Sequence, residues 1–256
     1  MRRKPLFAIL LLVVVVLGAG CATVSLMESI EALLEQAKAL LDAKKFDEAL
    51  TKLAEIIRRD PAQWKAYLYG AQAYIGKLDW SSALSNIRKA RELAPADGTV
   101  LTTLGESLFG AGRDALQRGA FTDAVGHFVE YVKLRPADAS GYLNAGRAYL
   151  GSRNWSDAGR VLVDGLGRAG DPAARKEFAS TLLDGGRQAL NLGEARGAVT
   201  LLREYVRVEP ADVAAYVYLG KAYVGTGDNF EALSAFRKVL ELAPQNEEAR
   251  RFLLGR

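Results

Sequence analysis

Residues 216–244 read YVYLGKAYVGTGDNFEALSAFRKVLELAP, with Tyr216, Leu219, Gly220, Tyr223, Gly227, Ala232, Phe236 and Pro244 at the positions that define a spacing. The same spacing returns six times between Ile30 and Asn246, mostly at intervals of 34 residues. Small residues recur as Gly70/Ala71, Gly112, Gly146, Gly186 and Gly220. An alanine recurs as Ala49, Ala83, Ala124, Ala158, Ala198 and Ala232. A closing proline follows at Pro61, Pro95, Pro136, Pro210 and Pro244, and in the fourth copy it is displaced to Pro172. Small residues let two helices cross closely, larger apolar slots fill the gap, and proline stops the second helix. Six copies in phase therefore predict stacked helix hairpins, each dependent on its neighbours for a core.

The pattern resembles the tetratricopeptide repeat (TPR) family, whose signature is W-x2-L-G-x2-Y, then A-x3-F, then P. The resemblance covers the chain from Ile30 to Asn246 and implies an all-α fold: a right-handed superhelix, an α-solenoid of about six hairpins. Residues 247–256, with Glu247, Glu248, Arg250 and Arg251 around Phe252 and Leu253, read as a C-terminal capping helix with a polar outer face.

A longer period lies above the first. Residues 105–172 echo 179–246 at an offset of 74, with Gly112/Gly186, Tyr131/Tyr205, Tyr142/Tyr216 and Tyr149/Tyr223 coincident. The opening pair joins at an offset of 75, as Phe46/Phe121, Tyr67/Tyr142 and Trp80/Trp155. The expected organisation is three hairpin pairs at 30–97, 105–172 and 179–246. Extra residues fall between pairs at 98–104 and 173–178. The helical spacing of Val100, Leu101 and Leu104 predicts that they lengthen the first helix of the next copy, a surface loop being the alternative.

The N-terminus has another character. Arg2, Arg3 and Lys4 precede an apolar run from Leu6 to Leu17, followed by Gly18, Ala19, Gly20 and Cys21. About a dozen apolar residues fall short of the roughly 20 that span a bilayer, so residues 1–20 read as an export signal. Cys21 is the one cysteine of the chain and has no internal disulfide partner. Its setting resembles the lipobox of bacterial lipoproteins, which implies that Cys21 is lipid-modified and becomes the first mature residue. Gly18 stands where that family carries an aliphatic residue, so ordinary signal cleavage and an uncleaved anchor stay open. Ala22, not aspartate, follows the cysteine, which in the enteric sorting rule implies the outer membrane, facing the periplasm. Residues 21–29 would be a lipid-anchored linker, and the eight residues before Ile30 reach about 26 Å when extended.

Formal charge is +4, from 34 basic and 30 acidic residues. Loss of the signal removes three bases and no acid, leaving about +1. With no clustered Lys/Arg run, a nucleic-acid partner is not expected. His127 is the one histidine, which excludes HExxH and Cys/His metal sites and leaves no catalytic triad with a spare histidine. Gly110-Ala111-Gly112-Arg113 and Gly185-Gly186-Arg187 lack the phosphate-loop Lys-Ser/Thr and fall at helix-crossing slots. Trp80 and Trp155, just after equivalent hairpin turns, are read as core. The expectation is a non-enzyme with no cofactor, no metal and no small-molecule substrate.

One constellation stands out. In the TPR family the first helix of each hairpin lines the concave groove, and one groove slot lies just after the small residue. Here that slot reads Lys38, Gln72, Arg113, Arg147, Arg187 and Lys221. Four residues earlier, on the same helix face, stand Leu34, Leu68, Phe109, Leu143, Leu183 and Val217. Tyr69 and Tyr218 occupy an adjacent slot. An apolar trough with a ladder of cations suits a protein or peptide partner bearing carboxylates. The competing reading is that these cations pair with acids of neighbouring helices. The resemblance then implies a membrane-anchored interaction scaffold of the cell envelope, serving secretion, pilus or outer-membrane assembly.

Overall fold

The computed structural model describes residues 28–254, so the predicted signal and Cys21 lie outside the described residues. Thirteen α-helices follow one another, with no strand among the described residues. Six hairpins are formed by α1 (Ile30–Asp42) with α2 (Phe46–Arg59), α3 (Trp64–Gly76) with α4 (Trp80–Leu93), α5 (Gly98–Gln117) with α6 (Phe121–Leu134), α7 (Ala139–Gly151) with α8 (Trp155–Leu166), α9 (Pro172–Asn191) with α10 (Ala195–Val208), and α11 (Val213–Thr226) with α12 (Asn229–Leu242). A last helix, α13 (Glu247–Leu254), packs on α12. The all-α solenoid read from the repeats is the fold.

Each hairpin closes by the same contact. The six seam alanines, Ala49 to Ala232, are completely buried. Four residues after each stands a large apolar side chain, which in the last four hairpins reaches the small slot of the first helix. Any Cβ at Gly112 would collide with the Phe128 ring, at Gly146 with Leu162, at Gly186 with Leu202 and at Gly220 with Phe236. The turn between the two helices always contains a residue in the left-handed region: Lys44, Leu78, Gly119, Arg153, Gly193 and Gly227. Glycine adopts that conformation freely, whereas a leucine there costs roughly 1–2 kcal/mol.

A second contact, absent from the repeat signature, joins one hairpin to the next. The first residue of a second helix presses an aromatic ring onto a glycine thirty residues later, in the following first helix: Phe46 on Gly76, Trp80 on Gly110 and Phe121 on Gly151. At Trp155 the device changes: Leu150 fills the space at Gly185, and the indole turns onto Gly197 of α10 and donates its N–H to Glu194. Among the described second helices, α8 and α10 are correspondingly the ones that pack closely on each other. First helices, by contrast, touch their successors all along the chain, and so form the inner wall of the solenoid.

Residues 98–104 form the opening turns of α5, and residues 173–178 those of α9, so both helices are 20 residues long where the other first helices have 13 or 14. Asp97 caps α5 by accepting from the Thr99 and Val100 amides, and Asp171 caps α9 by accepting from Ala174. One expectation is corrected here. Pro172 does not close the fourth copy. It is the first residue of α9, where a missing N–H costs nothing and the fixed φ suits the helix, while α8 stops earlier, at Leu166.

These contacts separate glycines that differ only in their surroundings. Gly151→Ala drives a methyl into the Phe121 ring and should destabilise the protein by about 1–3 kcal/mol, as overpacking does. Gly126→Ala, on the open side of α6 with nothing within 4 Å, should stabilise it by about 0.5–1 kcal/mol. Urea unfolding of both variants checks the pair; equal effects would contradict the proposed seat for Phe121.

Candidate functional site: the inner wall

The basic slot lies on the inner wall as expected, with Lys38, Arg113, Arg147, Arg187 and Lys221 exposed and Gln72 half-buried. The cations do not form a uniform free ladder. Arg147 pairs with Glu177 of α9 at 2.7 Å, and Lys221 with Glu248 of α13 at 2.7 Å. Arg187 lies 3.7 Å from Asp184 on its own helix, and its guanidinium stacks 5.4 Å from the Tyr218 ring centre. Arg113 and Lys38 form no ion pair among the described residues. Pairing with internal acids thus holds at Arg147, Arg187 and Lys221.

The apolar slot is corrected more sharply. Leu68 and Leu143, expected to line the groove, are 3% and 6% exposed and belong to the core, as do Leu34 and Val217. Four residues exceed one 3.6-residue turn, so this slot sits about 40° around the helix from the cation, turned toward the neighbouring helices. Phe109 and Leu183, on the two lengthened helices, remain half-exposed. Tyr69 and Tyr218 are also half-exposed. The inner wall therefore offers isolated aromatic and apolar side chains, not a continuous apolar trough.

A cleft of about 820 Å³ opens beside α5. Phe109 and Arg113 enter it from α5, Ile75 from the end of α3, Trp80 from the start of α4, and Tyr131 and Arg135 from α6. Phe109 packs edge-on to Phe128 and tilted against Tyr131, with ring centres 5.7 and 5.0 Å apart. Gly105 leaves room for the Arg135 guanidinium, whose Nε would lie 2.8 Å from any Cβ there. Leu78 stands at the rim, 70% exposed and in the left-handed conformation at φ 58°. The repeat signature did not point to Arg135, Trp80 or Ile75 as site residues. Leu78 carried a signal, being an apolar residue in a turn slot that the other copies fill with glycine, lysine or arginine.

Tyr131 forms the floor and donates its hydroxyl hydrogen bond to Asp138. Burial first, then that bond, pushes its pKa up to about 12, so it stays a neutral donor. Burial alone would raise the Asp138 carboxyl, but hydrogen bonds from Tyr131 and Ser140 outweigh it and hold it below the usual range. The equivalent pair, Tyr205 and Asp212, is formed at 2.7 Å, and Tyr205 is likewise raised.

His127 lines a second, more polar cleft of about 1090 Å³, formed mainly by α4 with Ala111 and Asp114 of α5. Every base lining that cleft is already paired: Arg88 with Glu130 at 2.7 Å, Lys89 with Glu92 and Arg118 with Asp114, both at 2.8 Å. No group of three or more His, Cys, Asp or Glu residues forms a metal site among the described residues.

Comparison with known proteins agrees with this architecture. The tetratricopeptide repeat family profile matches residues 34–98, 109–174 and 183–247. No curated protein matches the chain in sequence. Among solved structures, the Naa15/Naa10 complex bound to HypK-THB is similar over 88% of this chain at 16% identity and a TM-score of 0.51, this chain spanning 34% of that one. MamA from Desulfovibrio magneticus RS-1 is similar over 85% of this chain and 97% of its own, at 18% identity and a TM-score of 0.39. YrrB, described as a TPR protein with an unusual peptide-binding site, is similar over 86% and 90% of the two chains at 14% identity and a TM-score of 0.36.

Burial, and then the positive charge of Arg88, lower the pKa of His127 below its ordinary value. A histidine depressed by folding favours the native state fully above pH 6.5 and loses that contribution as pH falls below it. Because the chain has one histidine, NMR of the untagged protein gives a single titration curve. Its midpoint should fall below 6.5 and move up in Arg88→Ala. A midpoint above 6.5 would contradict this placement.

Proposed function

The chain belongs to the tetratricopeptide repeat family, and on that footing we propose that it is a non-catalytic scaffold that holds a protein or peptide partner against its inner wall. The observation that carries this reading is the set of side chains the inner wall leaves available. Tyr69, Phe109 and Tyr218 are half-exposed aromatics on first helices, and Arg113, one turn after Phe109, forms no ion pair among the described residues. Aromatic and arginine side chains with part of their surface already fixed by packing are the kind that anchor partners. The paired cations Arg147, Arg187 and Lys221 are half-exposed. Such ion pairs contribute only about 0–1 kcal/mol each, so partner carboxylates can exchange for the internal acids at little cost. The expected partner is an extended segment with acidic and apolar side chains.

The proposal extends to location. The Arg2–Lys4 cluster, the apolar run to Leu17 and the Ala19-Gly20-Cys21 sequence support export and lipid attachment at Cys21. None of the described helices is long and apolar enough to cross a membrane. The scaffold would thus hang from a lipid on a short linker, held at the envelope surface and most consistent with the periplasmic face of the outer membrane. Its work there would be to hold together components of an envelope complex.

Two experiments test the two halves. The triple variant Arg113→Glu, Arg147→Glu, Arg187→Glu should keep the wild-type melting temperature, because all three side chains are exposed, and should lose the proteins that co-purify from detergent-solubilised envelopes. An unchanged set of partners on a folded triple variant would place the working surface elsewhere. For the anchor, radiolabelled palmitate should enter the wild type and not Cys21→Ser, with the latter released from membranes or left as precursor. Failure of the wild type to incorporate label would overturn the lipoprotein reading.

A further inference from the structure

The two lengthened helices carry clefts at the same slots. Beside α9 a cleft of about 620 Å³ is lined by Ala179, Leu183, Tyr205 and Glu209, which stand 74 residues after Gly105, Phe109, Tyr131 and Arg135 of the 820 Å³ cleft beside α5. The inserted turns at 98–104 and 172–178 thus produce the same opening twice, at alternate hairpin junctions. The linings have diverged. Phenylalanine is replaced by leucine, the glycine that admits a guanidinium by alanine, and the arginine by glutamate. The α5 cleft alone combines aromatic walls, Phe109 and Trp80, with two guanidiniums, those of Arg113 and Arg135, that form no ion pair among the described residues.

We propose that the α5 cleft is the specificity pocket of the inner wall, receiving one aromatic or leucine-sized side chain of a linear partner segment together with an adjacent carboxylate. This rests on the scaffold reading above and names the place and chemistry of its anchor. The apolar side chain fills the space between Phe109, Trp80 and the exposed Leu78, burying surface that the fold itself leaves in water. The carboxylate is received by Arg113 and Arg135, whose planar forks bind it through charge-assisted hydrogen bonds. Two acids also line the cleft. Asp114 is occupied by Arg118 at 2.8 Å, while Glu106, next to the Gly105 seat of Arg135, is in no ion pair among the described residues. The α9 cleft has Glu209 in place of Arg135 and Leu183 in place of Phe109, and its cations, Arg175 and Lys176, stand on the opening turns of α9, so it does not reproduce this pairing of aromatic wall and guanidiniums.

The carboxylate can come from an Asp or Glu side chain or from a chain terminus. Fluorescence anisotropy of short dye-labelled peptides separates these sources. One set carries Leu or Phe flanked by Asp, a second replaces Asp by Lys, a third replaces the apolar residue by Ala, and a fourth ends on Leu or Phe with a free or an amidated C-terminus. The Asp peptides, or the free-terminus peptides, should bind wild type at least about tenfold more tightly than the Lys, Ala and amidated controls. Arg113→Glu, Arg135→Gln and Phe109→Ala should each weaken that binding by about tenfold or more, while Leu183→Ala in the α9 cleft leaves it unchanged. Arg113 is exposed, so its variant reports on the ligand even if another variant proves unstable. Equal affinity for Asp and Lys peptides, no saturable binding to any peptide, or loss on Leu183→Ala with none on Phe109→Ala and Arg113→Glu would overturn the pocket. The last result leaves the scaffold reading standing, whereas partners retained by the folded triple variant would remove that reading itself.

Discussion

A large side chain at the start of one helix seated on a glycine in the next hairpin is the contact on which the solenoid depends. Phe46 on Gly76, Trp80 on Gly110 and Phe121 on Gly151 are contacts between copies, while Gly112 under Phe128 and its equivalents are contacts within a copy. A hairpin of about 30 residues buries too little surface to hold itself together, so only the stack is stable. Both kinds of contact need a missing Cβ at a fixed phase, which ties each copy's register to that of its neighbour. Where the seat is altered, the geometry follows. With Leu150 occupying the place beside Gly185, Trp155 moves to α10, and α8 and α10 close on each other as other second helices do not.

The proposed binding surface arises from the departures from that regularity. Two added turns stand at the head of α5 and of α9, where the clefts lie. The residue that is buried as Leu68 or Leu143 in the short copies is then left half in water as Phe109 and Leu183. A duplicated insertion is accompanied by two openings at equivalent slots, and substitution at a few lining positions gives them different side chains: Phe109 and Arg135 in one, Leu183 and Glu209 in the other. The left-handed turn residue follows the same logic: glycine, lysine and arginine serve five hairpins, and a leucine that packs on little else stands where the α5 cleft opens.

Most of the fold was legible because its determinants are periodic. Glycine, alanine and proline recurring in phase state where helices cross and stop, and helical spacing at Val100, Leu101 and Leu104 marked the extension of α5. Pro172 is ambiguous in sequence because proline both follows a helix and opens one, and the Asp171 cap and the early end of α8 distinguish the two. Of the inner wall, the cations were legible by slot, but their pairing was not. Arg147 meets Glu177 and Lys221 meets Glu248 across 30 and 27 residues, through the relative rotation of successive hairpins, which no single slot records. Arg135 escaped for a similar reason: it ends a second helix, and reaches the inner wall only because Gly105 leaves it space.

In the proposed function the first helices are the working face and the second helices the supporting one. Site-specific photo-crosslinking in living cells tests this most directly, with a benzophenone side chain placed at Tyr69, Gln117 or Tyr218 on first helices and at Val163 or Leu242 on second helices. Adducts to a common partner from the three first-helix positions, with none from the two on second helices, is the predicted result. Adducts arising equally from Val163 and Leu242 would contradict it.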